Sequence, residues 1–311
     1  MALLIDIRDP LWMTEESLRD YLQPLLPGVP IHCCDAGEHK DEIQMLVVIS
    51  LYPGVSEGLP NLKLVQKLGA GVETIARDPS LARDVRVTRL KPQAPAQEIA
   101  EYCVAYVLRE QRNMGFHEHH QSNSSWTQMP PRKSPSTKVG VLGLGHIGSQ
   151  TARAFAALGF EVLGWSRSPK DIEGIECLYG SEALPVLLSQ CDYVASILPS
   201  TDETVNLFDA AMLANMKPSA MIINAGRGDL IVEEDLLAAI NNKKLARAVL
   251  DVFRQEPLPE THAFWKHPKI TVTPHVSGWH VDGALVDVAE NYSRLINGEP
   301  LLHEINRSLG Y

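Results

Sequence analysis

The sequence lacks an apolar run approaching the roughly 20 residues that a membrane-spanning helix requires. It also lacks a block of Lys and Arg, and its formal net charge of -10 at pH 7 repels a phosphate backbone. We therefore expect neither a membrane nor nucleic acid as a partner. Disorder is excluded as well, because hydrophobic residues make up 45% of the chain and charged residues 21%.

Cysteine is scarce, with five residues and no C-x-x-C spacing, so neither a disulfide framework nor a zinc site is indicated. His117, His119 and His120 fall at the expected end of a long helix, where cationic side chains suit the helix dipole, and we expect no metal site. Asp6 interrupts the apolar stretch that a signal peptide would need, so residues 1–8 are expected to form a β-strand. These features predict a cytoplasmic protein.

The length of 311 residues favours two domains. Up to residue 88, short apolar runs alternate with helix-like or Pro/Gly-rich segments, which is typical of a parallel α/β unit. The strands predicted in this unit are 3–7, 45–49, 62–66 and 85–88. A long amphipathic helix is predicted from Gln97, because apolar residues recur there at helical spacing.

A second α/β series is predicted from residue 138 onward. Strand 138–142, a glycine turn, helix 146–158 and strand 161–165 make a complete βαβ unit. Further strands are predicted at 193–197, 220–224, 247–251 and 270–273, and helices near 203–214 and 233–240. A last helix, 281–296, follows this series, and its position suggests that the chain crosses back to pack on the first domain.

The glycine turn is a G-x-G-x-x-G pattern between a predicted strand and a predicted helix, and it reads Gly143-Leu144-Gly145-His146-Ile147-Gly148. The first glycine permits a tight turn, the second lets a pyrophosphate approach the backbone, and the third lets helix and strand pack closely. The helix N-terminus offers N–H groups to the anion. The turn therefore predicts a dinucleotide site, with a purely structural strand-helix turn as the alternative.

The residues after the second strand of this unit bear on which dinucleotide is bound. An NAD site places an acidic residue about 20 positions after the glycine turn, but here the segment reads Ser166-Arg167-Ser168. Arg167 can fork onto a 2′-phosphate, Ser166 can donate to it, and no carboxylate is present to repel it. We expect NADP as the preferred cofactor, with NAD as an alternative if Arg167 is merely a solvated loop residue.

Three further segments follow predicted strands, where open α/β sheets place their ligands. They are Asn224-Ala225-Gly226-Arg227-Gly228, Asp251-Val252-Phe253-Arg254-Gln255-Glu256-Pro257 and Thr273-Pro274-His275. With the glycine turn, they resemble the D-isomer-specific 2-hydroxyacid dehydrogenase family over nearly the whole chain. Within it, the Trp-Ser-Arg-Ser segment and the compact length are most similar to the bacterial NADPH-type glyoxylate/hydroxypyruvate reductases.

Three side chains in these segments have the chemistry that the reduction of a 2-oxo acid requires, independently of the family resemblance. His275 can donate a proton near neutral pH, and a neighbouring carboxylate at Glu256 would stabilise the imidazolium. Arg227, always cationic and planar, can bind the 2-oxo acid at two oxygens. The resemblance implies that these three are the catalytic set. Formate dehydrogenases resemble this pattern but carry an amide in place of Glu256, so the carboxylate favours acid/base chemistry.

The resemblance also implies the fold and the remaining site residues. It implies two Rossmann-like or flavodoxin-like parallel-sheet domains with the active site in the cleft between them: 1–96 with 279–311 for substrate, and 97–278 for the dinucleotide. Ala70, Gly71 and Val72, whose N–H groups can form a nest for an anion, are expected to bind the substrate with Arg227 and His275. Further cofactor contacts are expected from Leu198, Pro199, Ala225, Gly226, Asp251 and Ser277.

The function predicted from these residues is NAD(P)H-dependent reduction of a small 2-oxo acid, of the glyoxylate/hydroxypyruvate class, to the D-2-hydroxy acid. Two alternatives stay open at this point: a dinucleotide-sensing regulatory protein of the same fold, and a dehydrogenase for a larger 2-hydroxy acid. Members of the family are usually homodimers through the cofactor domain, so a homodimer is expected.

Overall fold

The computed structural model describes residues 1–8, 12–76, 78–91, 93–281 and 283–307. The chain divides into two compact units, Met1–Gln93 with His280–Tyr311 and Ala94–Trp279. The strands are β1 Ala2–Asp6, β2 Ile31–Cys33, β3 Ile43–Val48, β4 Leu64–Lys67, β5 Arg86–Arg89, β6 Lys138–Leu142, β7 Glu161–Ser166, β8 Glu176–Tyr179, β9 Tyr193–Ser196, β10 Met221–Asn224, β11 Arg247–Leu250 and β12 Ile270–Val272. The helices are α1 Glu15–Leu22, α2 Glu73–Ala76, α3 Gln93–Gln111, α4 Met114–Ser122, α5 His146–Ala157, α6 Ala183–Gln190, α7 Ala210–Leu213, α8 Glu233–Asn241 and α9 Val286–Asn297.

The first unit is built on a parallel sheet with the strand order β2-β1-β3-β4-β5. Strands β1 and β3 are rich in apolar residues because both faces of a parallel sheet are covered, and β1 is buried along its whole length. The last helix of the chain, α9, packs on this unit: Val288 and Tyr292 are buried in one cluster with Leu3, Leu18 and Leu22.

The second unit is built on a parallel sheet with the order β12-β11-β10-β9-β6-β7-β8. The strand order reverses at β6, which pairs with β7 on one side and with β9 on the other. The turns after β6 and β9 therefore leave the sheet at a topological switch point, the position where open α/β sheets bind ligands. None of the helices in the described ranges has the length and apolar character that crossing a membrane requires.

Several elements differ from the sequence predictions. Strands β2 and β8 were not predicted, because these short edge strands are only partly buried and carry a weak apolar signal. The helix predicted at 203–214 is confined to α7, since Thr204 binds the carbonyl of Pro199 and the N–H of Thr201 and closes a turn there. The helix predicted from Gln97 begins four residues earlier.

The three histidines near residue 120 do not lie at the end of that long helix. They belong to a separate helix, α4, which begins after Asn113 adopts a left-handed conformation with φ 54°. Within the part of the chain that the structure describes, no group of three or more His, Cys, Asp or Glu side chains is arranged to hold a metal ion.

Candidate functional site

The glycine turn after β6 is shaped by close backbone approaches. Gly143 has φ 98°, and a Cβ there would lie 2.9 Å from the carbonyl oxygen of Ile197. A Cβ at Gly148 would lie 1.7 Å from the carbonyl oxygen of Gly143, so α5 can pack this close to β6 only with glycine. By contrast, the space over Gly145, the N-cap of α5, is open. The backbone N–H groups at this helix N-terminus can therefore receive a pyrophosphate, and the turn fits a dinucleotide.

The end of β7 carries the segment expected to discriminate between dinucleotides. The Arg167 guanidinium is largely exposed and lies 3.6 Å from the carboxylate of Glu203. Ser166 is buried, and its hydroxyl donates to the carbonyl oxygen of Ser168 at 2.8 Å. This hydrogen bond shapes the turn, and Arg167 supplies the positive charge there.

The turns after β9 and β10 lie against each other. A Cβ at Gly226 would lie 2.6 Å from the carbonyl oxygen of Leu198, and Leu198 and Ala225 are both buried. Asn224, for which no role was predicted, is fully buried. Its side chain accepts from the N–H of Gly226 and donates to the carbonyl of Arg227 at 2.8 Å. Asn224 thus fixes the turn that presents Arg227, and an Asn at a strand end is the signal that could have indicated this.

Arg227 is half-buried at the end of this turn. Its guanidinium donates to the carbonyl oxygen of Gly226 at 2.7 Å. The next position requires glycine, because a Cβ at Gly228 would lie only 1.9 Å from the carbonyl carbon of Phe253. The segments after β10 and β11 are therefore in contact directly beside Arg227.

His275 and Glu256 form a close pair in the same unit. His275 Nδ1 lies 2.7 Å from Glu256 Oε2, and the other oxygen of Glu256 accepts from the N–H of Phe253 at 2.8 Å. Burial acts to raise the pKa of Glu256, but the hydrogen bond and charge of His275, the Phe253 N–H and the charge of Arg227 outweigh it, so this pKa lies below its usual range. An ionised carboxylate can only accept, so Nδ1 carries the proton.

The backbone around His275 is held by a buried carboxylate. Asp251, which is fully buried, accepts through Oδ1 from the hydroxyl of Thr273 and the N–H of Val276, and through Oδ2 from the N–H of Ser277. The N–H of His275 donates to the Asp251 carbonyl at 2.9 Å. His275 itself has φ 54°, a left-handed conformation that is unfavourable for a residue other than glycine.

The predicted substrate loop belongs to the first unit. It follows β4, and Gly69 adopts φ 140° at its start. Arg89 donates to the carbonyl oxygen of Ala70 at 3.1 Å, and Lys67 donates to that of Leu68 at 3.3 Å. Val72 is buried, whereas Ala70 and Gly71 are partly accessible. Two cationic side chains thus hold the carbonyl groups of the loop.

The sequence has clear relatives among proteins of known class. The family model for the D-isomer specific 2-hydroxyacid dehydrogenase, NAD binding domain, matches residues 104–277. The chain is 37% identical to glyoxylate/hydroxypyruvate reductase A of Serratia proteamaculans, over 97% of this chain and 98% of that protein. It is 35% identical to the Photorhabdus laumondii protein of the same name, over 93% of this chain and 94% of that one.

This chain belongs to the D-isomer-specific 2-hydroxyacid dehydrogenase family. The resemblance stated from its motifs is confirmed.

Solved structures of the family agree with the fold. A D-isomer specific 2-hydroxyacid dehydrogenase from Xanthobacter autotrophicus Py2, in complex with NADPH and MES, superposes with a TM-score of 0.91 at 35% identity, covering 100% of this chain and 99% of that one. The NADPH-dependent glyoxylate/hydroxypyruvate reductase of Sinorhizobium meliloti, in complex with NADP and sulfate, gives 0.90 at 30% identity over 100% and 99%. The predicted class of two parallel-sheet α/β domains is confirmed.

Proposed function

We propose that this 2-hydroxyacid dehydrogenase uses NADPH to reduce a small 2-oxo acid, of the glyoxylate/hydroxypyruvate class, to the D-2-hydroxy acid. The observation that carries the proposal is the His275–Glu256 pair, in which an ionised carboxylate holds an imidazole on a strained segment of the unit that bears Arg227. The names of the relatives from Serratia and Photorhabdus support the substrate class, and the NADPH and NADP complexes of structural neighbours support the cofactor.

The residues that would hold the dinucleotide lie at strand ends of the second unit. The pyrophosphate would bind at the open N-terminus of α5 and the 2′-phosphate at Arg167. When bound, the cofactor supplies the hydride that the substrate carbon receives. The proposed binding residues are Gly143, Leu144, Gly145, His146, Ile147, Gly148, Ser166, Arg167, Ser168, Leu198, Pro199, Ala225, Gly226, Asp251 and Ser277.

The protein's own groups handle the proton and the charge. His275 donates its Nε2 proton to the oxygen of the substrate carbonyl, which becomes the hydroxyl of the product. Glu256 stabilises the imidazolium before that transfer and keeps the ring oriented through Nδ1. Arg227 binds the substrate oxygens and stabilises the negative charge that develops on the carbonyl oxygen. The N–H groups of Ala70, Gly71 and Val72 bind the substrate carboxylate.

The decisive test follows NADPH absorbance in the presence of glyoxylate, hydroxypyruvate and phenylpyruvate, each also with NADH. We expect turnover with the first two acids and a higher kcat/KM with NADPH. Binding of NADPH without turnover of any 2-oxo acid would contradict the proposal and favour a dinucleotide-sensing protein. A preference for phenylpyruvate would indicate a larger hydroxy acid as the product.

The role of Arg167 predicts a change of cofactor preference. Arg167→Asp removes the cation facing the 2′-phosphate and adds repulsion, so the KM for NADPH should rise about 10- to 100-fold, the size of a lost charge-assisted hydrogen bond. The KM for NADH should not rise. Steady-state kinetics with both cofactors measure this. Arg153→Glu, on the exposed face of α5, is the control for net charge and should change neither value. A wild type that prefers NADH tenfold would contradict the assignment.

The role of Glu256 predicts a change in pH dependence. Glu256 must be ionised to hold the imidazole, and its pKa lies below its usual range. Glu256→Gln replaces it with an amide that does not titrate, so kcat/KM should fall and the acidic limb that reports this carboxylate should disappear from the pH profile. Cofactor affinity should stay nearly constant. Glu260→Gln neutralises an exposed carboxylate in the same loop and should leave the limb in place. An acidic limb that persists in Glu256→Gln would show that this limb reports another group and would separate Glu256 from the proton donor.

We also propose a cytoplasmic homodimer. The segment around α4 carries large apolar side chains in water, Met114, Met129 and Trp126, of which Trp126 is 94% exposed. Such a group typically marks a protein-protein contact. Static light scattering should give twice the mass of one 34.3 kDa chain, and a monomeric mass at micromolar concentration would contradict the proposal.

A further inference from the structure

A chain of partly or fully buried hydrogen bonds connects helix α3 to the segment that carries His275. The hydroxyl of Tyr102, on α3, lies 2.7 Å from Thr273 Oγ1. Thr273 in turn donates to Asp251 Oδ1 at 2.6 Å. Asp251 then accepts the N–H groups of Val276 and Ser277, both at 2.9 Å. The phenol therefore reaches the two residues that follow His275 through two side chains.

The direction of this chain follows from its donors and acceptors. The single hydroxyl proton of Thr273 goes to Asp251, so the bond between Tyr102 and Thr273 must use the phenolic proton. Burial raises the pKa of Tyr102 far above its usual range, which keeps that proton on the phenol at any working pH. Tyr102 is thus a fixed donor at the outer end of the chain.

The segment that these bonds hold is strained. A left-handed conformation is unfavourable at a residue such as His275, whose φ is 54°, and persists only where its surroundings impose it. Helix α3 supplies other restraints on the same segment. Gly278 is so close to Pro95 and Ile99 that an added Cβ would lie 3.0 to 3.1 Å from their side chains. The N–H of Trp279 donates to Glu98 at 2.6 Å.

We propose that Tyr102 is a positioning residue for His275. Its hydroxyl holds Thr273 and Asp251 in the one arrangement that fixes the backbone of residues 275–277 and so places the imidazole. The effect on catalysis rests on the proposed function, in which His275 is the proton donor. The effect on the backbone does not.

Tyr106 provides the matched control. It lies one turn further along α3, and its ring meets that of Tyr102 edge-on with 4.8 Å between centroids. It is partly buried like Tyr102, but its hydroxyl lies outside the chain from Tyr102 to Asp251. Tyr106→Phe therefore removes the same atom from the same helix, and it separates loss of a hydroxyl in general from loss of this one.

The first experiment measures amide hydrogen exchange of residues 275–277 in the protein without substrate or cofactor. Tyr102→Phe leaves Thr273 without its donor, and exchange at Val276 and Ser277 should become about 10-fold faster, the size expected for one unsatisfied buried hydrogen bond. Tyr106→Phe should match wild type. Exchange at Val276 and Ser277 should be faster in Thr273→Val than in Tyr102→Phe. Thr273→Ser keeps the hydroxyl, so its exchange rates should stay near those of the wild type. Equal exchange in Tyr102→Phe and Tyr106→Phe would overturn the proposal.

The second experiment measures whether Tyr102 acts through His275. In NADPH-dependent glyoxylate reduction, Tyr102→Phe should lower kcat about 10-fold at nearly constant KM for glyoxylate, while Tyr106→Phe keeps wild-type values. Added to His275→Gln, it should lower kcat by less than twofold, since residues that act as one unit are not additive. A full 10-fold loss in that background would overturn the proposal. If the wild type turned over no 2-oxo acid, the proposed function would fail, while the exchange data would still decide the positioning role.

Discussion

His275→Gln is expected to lower kcat for the reduction of a small 2-oxo acid by about 10²–10⁴-fold, the range typical of losing a general acid. Glutamine keeps a polar side chain of similar length but has no ionisable proton for the developing alkoxide. The KM for the substrate should change little, because Arg227 and the loop at residues 70–72 supply the proposed ground-state contacts. The dissociation constant of NADPH, measured by fluorescence titration, should stay within a factor of about two, because the dinucleotide contacts proposed above do not include the imidazole.

A second His–Glu pair in the same unit serves as the control. His262 Nε2 lies 3.4 Å from Glu233 Oε2, so His262→Gln removes an imidazole from a similar pair outside the proposed site. It should cost stability, because His262 also accepts from the N–H of Phe264 and caps a short helix, but kcat should stay near wild type. A His275→Gln variant that retained more than about a tenth of wild-type kcat would show that another group donates the proton.

The sequence was sufficient for the parts of the fold that are buried on both sides. Strands β1, β6 and β10 read as apolar runs apart from one polar residue at an end, because they are almost wholly buried. Strand β6 was predicted with its observed bounds. Edge strands such as β2 could not be predicted in this way, because β2 is only partly buried and its three residues are too few for a clear apolar run. The helix predicted at 203–214 failed because the turn that Thr204 closes depends on hydrogen bonds, not on apolar spacing.

The sequence likewise predicted only part of the candidate site. Arg227, Glu256 and His275 could be selected because each follows a predicted strand, and parallel strands bring their carboxyl ends to one edge of a sheet. The residues that hold these three side chains in place could not be selected from the sequence. Tyr102 and Thr273 are 171 residues apart in sequence, and no local pattern marks their hydroxyls as partners. The inward turn of the Ser166 hydroxyl and the left-handed conformation of His275 likewise depend on neighbours that only the folded chain supplies.

Arg227→Ala is expected to fail differently from His275→Gln, because it should raise the KM for the 2-oxo acid and lower kcat together. The guanidinium would bind substrate oxygens in the ground state, where losing a charge-assisted hydrogen bond costs about 1.5–3 kcal/mol, or roughly 10- to 100-fold in KM. It would also stabilise the charge that develops on the carbonyl oxygen, and removing one such donor typically lowers kcat about 10²–10³-fold. The ratio kcat/KM should therefore fall at least about 10³-fold, as steady-state kinetics with glyoxylate can measure.

Two further variants and a pH profile test this role of Arg227. Arg227→Lys keeps the charge but not the planar fork, so it should recover only part of the loss. Arg247→Ala removes an arginine that pairs with Glu110 in the same unit and should leave kcat/KM unchanged. Because the charge of Arg227 helps to lower the pKa of Glu256, its removal should raise that pKa, and the acidic limb of the Arg227→Ala profile should move to higher pH. An increase in KM at constant kcat would instead mean that Arg227 binds the substrate but does not stabilise the developing alkoxide.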